Sequence, residues 1–181
     1  MLAYSLSGSD NSLYFFDDPP EGVLCSNCKT CLNLYYLPSE MTIHKSIKYD
    51  ISFTYDGRPL VSTRFKEFCE AREYEGLNFF QVSREPCYFY FLPEILLQFD
   101  DYRRQTRFEK KCEVCGNYES IVGATPPYLK EKGEIKKGIF RTDLMFGSAH
   151  RKFPRIIIGT ETYQAMVKKK FRGIWFHPVY E

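Results

Sequence analysis

Pro59-Leu60-Val61-Ser62-Thr63-Arg64-Phe65-Lys66-Glu67-Phe68-Cys69-Glu70-Ala71-Arg72-Glu73-Tyr74-Glu75-Gly76-Leu77-Asn78-Phe79-Phe80-Gln81-Val82 reads as a strand, a helix and a returning strand. Ser62 or Thr63 can accept hydrogen bonds from the unpaired N–H groups of a first helical turn. Phe65, Phe68 and Cys69 then fall at i, i+3 and i+4 on one helix face. Gly76 is placed to end the helix, because glycine tolerates the left-handed backbone that closes one. Leu77, Phe79 and Val82 belong to the second strand.

The same pattern recurs from Arg155 to Val179. At a constant offset of 97, Val61 aligns with Ile158, Thr63 with Thr160, Cys69 with Met166, Gly76 with Gly173, Leu77 with Ile174, Phe79 with Phe176 and Val82 with Val179. The alignment has no gap and implies two pseudo-repeated halves, about 1–86 and 87–181. Each half also carries a CxxC pair ahead of its unit: Cys25-Ser26-Asn27-Cys28 and Cys112-Glu113-Val114-Cys115, the latter followed by Gly116. These pairs differ by 87 positions, so the linker to the unit is ten residues longer in the second half.

Two residues between thiols is the spacing at which a knuckle points both sulfurs at one ion, and two knuckles complete a four-cysteine zinc site. Cys25, Cys28, Cys112 and Cys115 are the candidate ligands. The 83 residues between Cys28 and Cys112 far exceed a short zinc ribbon's separation of about 15 to 20. The zinc would therefore lie where the halves meet. Cys31 makes the first segment CxxCxxC and is either a buried small residue or a substitute ligand for Cys25 or Cys28. Four thiolates leave no open coordination position, so the metal's expected role is structural.

The remaining segments point to an α+β fold with mixed sheet. Aromatic residues make up 17% of the 181-residue chain, with 16 Phe and 14 Tyr, a bias toward strands. The length suits one domain. Further strands are expected at Tyr4–Leu6 and Ser12–Phe16 around a Gly8-Ser9-Asp10-Asn11 turn, and at Leu32–Leu37. Others are expected at Ile47–Tyr55, which alternates apolar and polar residues, at Cys87–Leu92 and at Ile95–Phe99, and Ile139–Gly147 is expected to be ordered, without an assigned element. Tyr102–Lys111 is charged and expected in solvent, and 123–138 reads as loop.

A formal charge of +2 from 25 basic and 23 acidic residues gives no bulk field for nucleic acid or an anionic membrane. The run Lys168-Lys169-Lys170 with Arg172 suits the C-terminal end of a helix, where cations favour the dipole. No signal-peptide pattern or membrane-length apolar run is present, so the chain is expected to be cytosolic. Reduced thiols there favour metal over disulfides. No phosphate loop, dinucleotide fingerprint or nucleophile elbow occurs. His44, His150 and His177 have no paired ligand spacing, and Cys69 and Cys87 sit in apolar patterns as packed thiols. The reading is of a protein that is not an enzyme.

Gly22-Val23-Leu24-Cys25-Ser26-Asn27-Cys28 and Phe108-Glu109-Lys110-Lys111-Cys112-Glu113-Val114-Cys115-Gly116 are two of the stretches that carry a resemblance. The third is Ile139-Phe140-Arg141-Thr142-Asp143-Leu144 running into Phe153-Pro154-Arg155-Ile156-Ile157-Ile158 and Gly173-Ile174-Trp175-Phe176-His177-Pro178-Val179. Together they resemble the double-CxxCG-motif family, known from myxobacteria, and related immunity proteins of bacterial polymorphic-toxin systems. The chain departs from the pattern at Lys29, which stands where the first motif has Gly, and at the extra Cys31. The resemblance implies a bacterial cytoplasmic protein that binds one cognate toxin and occludes its active site or docking surface, with the four knuckle cysteines as zinc ligands. It carries no toxin-contact residues over. Acidic clusters at Asp17-Asp18 with Glu21 and at Asp100-Asp101 would suit a basic nuclease toxin. A zinc-ribbon nucleic-acid-binding or regulatory protein is the alternative from another class.

Overall fold

A computed structural model describes residues 1–44 and 47–181. In chain order the elements are β1 (Ala3–Asp10), β2 (Ile51–Phe53), β3 (Pro59–Ser62), α1 (Thr63–Glu70), β4 (Leu77–Ser83), β5 (Tyr88–Pro93) and β6 (Leu96–Leu97). They continue with α2 (Asp101–Arg104), β7 (Arg107–Lys111), β8 (Tyr118–Val122), β9 (Ile139–Ser148), a 3-10 turn at Ala149–Arg151, β10 (Phe153–Ile158), α3 (Thr160–Lys169) and β11 (Ile174–Val179). The fold is α+β. One sheet runs β4-β5-β3-β2-β1-β10-β9-β8-β7, with β11 also paired to β1 and β6 to β9. Its pairings are antiparallel except β1 with β2 and β6 with β9.

Both strand-helix-strand segments form, and they are wired alike. β3 and β4 each pair antiparallel with β5, which lies between them. β10 and β11 each pair antiparallel with β1, so a strand from the N-terminus completes the C-terminal unit. Ser62 enters α1 with φ −75° and ψ 162° and its Oγ accepts from the Phe65 N–H. Gly159 enters α3 with nearly the same angles, −66° and 160°. Glu73 and Lys170 are both left-handed, at φ 53° and 52°, and Gly76 and Gly173 follow at 64° and 84°. These pairs also stand 97 residues apart. Gly173 is held to glycine by close approach as well, since a Cβ there would lie 2.5 Å from the Ile51 carbonyl oxygen.

Two apolar cores flank the sheet. Along β10, Ile156 and Ile158 enter the larger core with Leu6, Leu60, Phe65, Tyr90, Phe91 and Met166. Ile157 points to the smaller one with Leu2, Phe99, Leu129, Phe146 and Val179, as strand period two requires. Phe171, just after α3, packs edge-on between Phe65 and Phe68 of α1, at centroid distances of 5.5 and 5.1 Å. Burying such a ring contributes about 1.5–3 kcal/mol and joins the two helices.

Asp50 reinforces the joint. This buried carboxylate accepts from Ser62 Oγ at 3.2 Å, Arg64 Nη1 at 2.8 Å and the Arg172 N–H at 2.8 Å. A second buried polar knot surrounds Arg58. Its guanidinium lies 4.8 and 4.9 Å from the Phe16 and Phe153 ring centroids and donates to the carbonyls of Lys152 and His150.

Several expected strands are absent or shorter. Ser12–Phe16 is loop, because the Phe15 and Phe16 N–H groups donate to the buried Asp56 carboxylate at 2.9 and 2.8 Å. The expected turn over 8–11 is displaced, since β1 runs on through Gly8 to Asp10 and the chain turns at Ser12, whose N–H is donated to Asp10 Oδ1. Leu32–Leu37 is also not a strand. Asn33 winds it into a turn, its Oδ1 and carbonyl accepting from the N–H groups of Tyr35 and Tyr36. Ile47–Tyr55 contracts to β2: Asp50, Ser52 and Thr54 are buried alongside Ile51, so its alternation does not mark a half-buried strand. Ile95–Phe99 contracts to β6, because the Gln98 and Phe99 N–H groups go to the carboxylates of Glu131 and Asp143. Helix α1 stops at Ala71, and Gly76 instead opens β4. Tyr102–Lys111 is largely exposed, as expected, but ordered as α2 and β7.

Asp50→Ala should destabilise the protein by roughly 3 kcal/mol, since it strips the acceptor from a half-buried serine hydroxyl, a guanidinium and a backbone N–H. Urea denaturation measures this; a loss below about 1 kcal/mol would show that the joint rests on Phe171 alone.

Candidate metal centre

The two knuckles are superimposable in their hydrogen bonding. In the first, the Lys29 N–H donates to the Cys25 carbonyl at 3.0 Å and the Cys25 N–H to the Thr30 carbonyl at 2.9 Å. In the second, the Gly116 N–H donates to the Cys112 carbonyl at 2.9 Å and the Cys112 N–H to the Asn117 carbonyl at 2.8 Å. Both turns need a left-handed residue after the second cysteine. Gly116 supplies it at φ 72°, and Lys29 adopts it at φ 58°. The lysine therefore preserves the knuckle at a conformational cost, which for a residue with a Cβ is about 1–2 kcal/mol.

The fold brings the knuckles together. Cys25 Sγ lies 3.8 Å from Cys112 Sγ and Cys28 Sγ lies 3.6 Å from Cys115 Sγ. The four sulfurs lie within 4.8 Å of one another. Tetrahedral coordination with metal–sulfur bonds of about 2.3 Å places neighbouring sulfurs about 3.8 Å apart, so the set fits one ion. A disulfide needs about 2.05 Å, and all seven cysteines are free thiols. Cys25, Cys28 and Cys112 are buried and Cys115 half-buried. Cys31 is buried but lies outside the set, its thiol donating to the Asn33 carbonyl at 3.3 Å.

The immediate surroundings treat the thiols unequally. The Cys115 N–H, then the Asn27 amide 3.4 Å away, pull the Cys112 thiol down to about 6. The Cys28 N–H is the main influence lowering Cys25. Burial pushes Cys28 up to about 11, and its thiol donates to Thr30 Oγ1 at 3.2 Å. Burial thus favours the protonated form of Cys28, and hydrogen bonding favours the thiolate of Cys112.

Lys152 is the charged residue that the sequence did not single out. It is 2% exposed and its ammonium donates to the Tyr118 carbonyl, at the start of the strand after the second knuckle. Burial lowers its pKa, while Cys28, Cys115 and Cys112 act in the opposite direction. Four thiolates around a dication carry two net negative charges, and a buried ammonium nearby offsets part of them. The signal was present only as the basic run His150-Arg151-Lys152, with nothing local to show that its third member turns inward.

The other candidate residues do not converge on this centre. His177 in β11 bonds Ser7 Oγ across the ladder at 2.9 Å. The His150 ring is pushed below its ordinary pKa by burial and lies 6.1 Å from the Phe16 ring. His44 is in an exposed loop. Cys69 is buried in the larger core, where burial drives its pKa far up; Cys87 is only half-buried. No helix among the described residues is long and apolar enough to cross a membrane. No family model, curated protein or solved structure matches the chain.

One metal equivalent per chain is expected by elemental mass spectrometry. Cys112→Ser should abolish it and Cys31→Ser should leave it unchanged. Protons compete with metal for thiolates, so the bound fraction should fall as pH is lowered. Full metal content in Cys112→Ser would refute the centre.

The left-handed positions give a separate expectation. Gly116→Ala should cost roughly 1–2 kcal/mol from backbone strain alone, because a Cβ there meets nothing within 4 Å. Lys29→Gly should gain at most about 1 kcal/mol, reduced by glycine's greater unfolded-state freedom. Thermal denaturation of metal-saturated protein compares the two.

Proposed function

We propose that the four cysteines hold a structural zinc ion and that the protein is a stoichiometric binder: an immunity protein that neutralises a cognate bacterial toxin in the cytoplasm by occlusion. The observation that carries the choice of binder over metalloenzyme is that thiols stand at all four vertices of the centre, with no vertex for water or substrate. Thiolate ligands in tetrahedral array favour zinc. The toxin partner comes from the resemblance of the knuckles and C-terminal stretches to immunity proteins. The same proposal reads the two strand-helix-strand units as a repeat, with the metal as a clasp between their halves.

A docking surface of suitable chemistry lies beside the first knuckle. Ser12–Tyr14, Asp17, Asp18, Pro20 and 36–42 line a groove of about 700 Å³. Asp17, Asp18 and Glu40 give it negative charge, and Tyr14 is 56% exposed at its wall. Tyr36 stays a neutral hydrogen-bonding group there, its pKa raised by burial and then by Asp18 and Asp17. Acidic and aromatic groups together suit a basic protein surface. The other acidic cluster is spent on local structure: Asp100 caps α2 and Asp101 faces Lys130 at 3.8 Å.

One observation favours the second reading, a nucleic-acid-binding or regulatory protein. Arg64, Arg72 and Lys169 line a groove of about 620 Å³ between the helices. Two of these cations are already engaged, Arg64 with Asp50 at 2.8 Å and Arg72 over the Phe68 ring at 4.9 Å. This groove therefore offers less free charge than its composition suggests.

Co-expression with candidate toxins should identify one against which the protein restores growth, and the two proteins should co-purify at equal stoichiometry. Replacing Asp17 and Asp18 together by Lys should weaken the complex by tenfold or more, about 1.4 kcal/mol, without loss of metal. Failure to protect, coupled with nucleic-acid binding that weakens steeply with salt, would reject the immunity reading in favour of the second.

A further inference from the structure

The two ends of the sheet path are treated differently. At one end β7 carries Arg107, Glu109, Lys110 and Lys111, every residue exposed, and its ladder to β8 skips Lys110, which is left-handed at φ 47°. Charge and a kink are how an edge is kept from pairing with another chain. At the other end β4 reads Leu77-Asn78-Phe79-Phe80-Gln81-Val82-Ser83, with no charged residue and no proline.

The phase of the ladder fixes which groups β4 presents outward. The Glu94 N–H donates to the Gly76 carbonyl, and Gly76 precedes a register in which Asn78 faces Leu92 and Phe80 faces Tyr90. Gly76, Asn78 and Phe80 thus turn their backbone groups toward β5, and Leu77, Phe79 and Gln81 turn theirs away. Among the described residues those outward groups meet no partner. The open stretch ends at Val82, whose carbonyl accepts from the Met41 N–H at 2.8 Å.

We propose that β4 pairs antiparallel with β4 of a second copy of this chain, with the two-fold axis at Phe79. In that register Leu77 faces Gln81 of the second copy, Phe79 faces Phe79, and Gln81 faces Leu77, so three outward residues on each side satisfy one another in six hydrogen bonds. The lack of charge removes like-charge repulsion across the axis. The ring of Phe79 stacks on Phe91 at 5.2 Å, and Phe91 meets Phe65 at 5.4 Å, so the facing Phe79 rings extend an aromatic row from one copy into the other. Beyond the strand, the exposed Glu73 and Glu75 of one copy come to the same end as the exposed Arg84 of the other, and this happens twice. The pairing is independent of what the acidic groove binds.

Sedimentation velocity should show a monomer–dimer equilibrium between roughly 1 and 100 µM, the range of a small interface. Gln81→Pro removes one outward N–H from each copy at an exposed position. It should raise the dissociation constant by roughly tenfold or more while metal content and circular dichroism stay those of the parent. Hydrogen exchange of the parent should slow with concentration at Leu77, Phe79 and Gln81 alone. A parent that stays monomeric over this range, or a dimer that Gln81→Pro leaves intact with no concentration-dependent protection in β4, overturns the proposal.

Discussion

Four sulfurs drawn from knuckles 87 positions apart, and within 4.8 Å of one another, set the condition that the rest of the chain must meet. Ionised thiols at this spacing repel one another strongly unless a cation lies between them. The chain keeps them together through carbonyl and amide contacts that do not themselves involve the metal. Lys152 ties the strand after the second knuckle to the 3-10 turn, Arg58 holds that turn through the Lys152 and His150 carbonyls, and Phe16 and Phe153 enclose Arg58. Phe16 is in turn fixed by the Asp56 carboxylate. The next residue, Asp17, lines the acidic groove. The centre and the groove are thus two ends of one buried polar path.

Between α1 and the turn after α3 the same problem is solved without metal. Phe171 enters between Phe65 and Phe68, and Asp50 gathers Ser62, Arg64 and Arg172. A hydrophobic contact and a charge-assisted knot thereby connect α1 to the turn after α3. β1 adds a covalent complication, since it belongs to the N-terminus yet fills the place between β10 and β11 that β5 fills between β3 and β4. Neither unit can complete its side of the sheet with its own strands alone.

What could be read from the sequence was what local chemistry decides. Helices α1 and α3, the Ser62 cap, the buried face of Phe65, Phe68 and Cys69, and the two knuckles depend on residues within a few positions of one another. The failures share a cause. Ser12–Phe16 and Leu32–Leu37 have strand composition, but Asp56 and Asn33 offer their N–H groups carboxylate or amide acceptors in place of a ladder. Asp56 lies some 40 residues away from the segment it bends, so no window on that segment contains the reason. Lys29 departs from the Gly of the motif for a different reason. Its side chain is unsuited to the left-handed turn, yet the hydrogen bonds from Cys25 to Thr30 enforce that turn, and tertiary constraint outweighs a propensity of about 1–2 kcal/mol.

The separation of the knuckles also determines what a metal there can do for the fold. Closing a loop of 83 intervening residues removes conformational freedom mainly from the unfolded chain, worth about 4 to 5 kcal/mol on the chain-entropy account. The larger core needs no help from this link, because Phe65, Tyr90, Phe91, Ile158 and Met166 are buried without touching a cysteine ligand. Around the centre the balance is reversed. The cysteine cluster forms its own small core, with no other apolar side chain in it, and the adjoining 17–40 segment contains no strand or helix. A metal bound by the four cysteines would therefore act most strongly on the part of the chain that hydrophobic burial holds least, the part that also shapes the groove. On the proposed reading, a metal held there would preorganise a surface, since rigidity before contact lowers the ordering cost of binding.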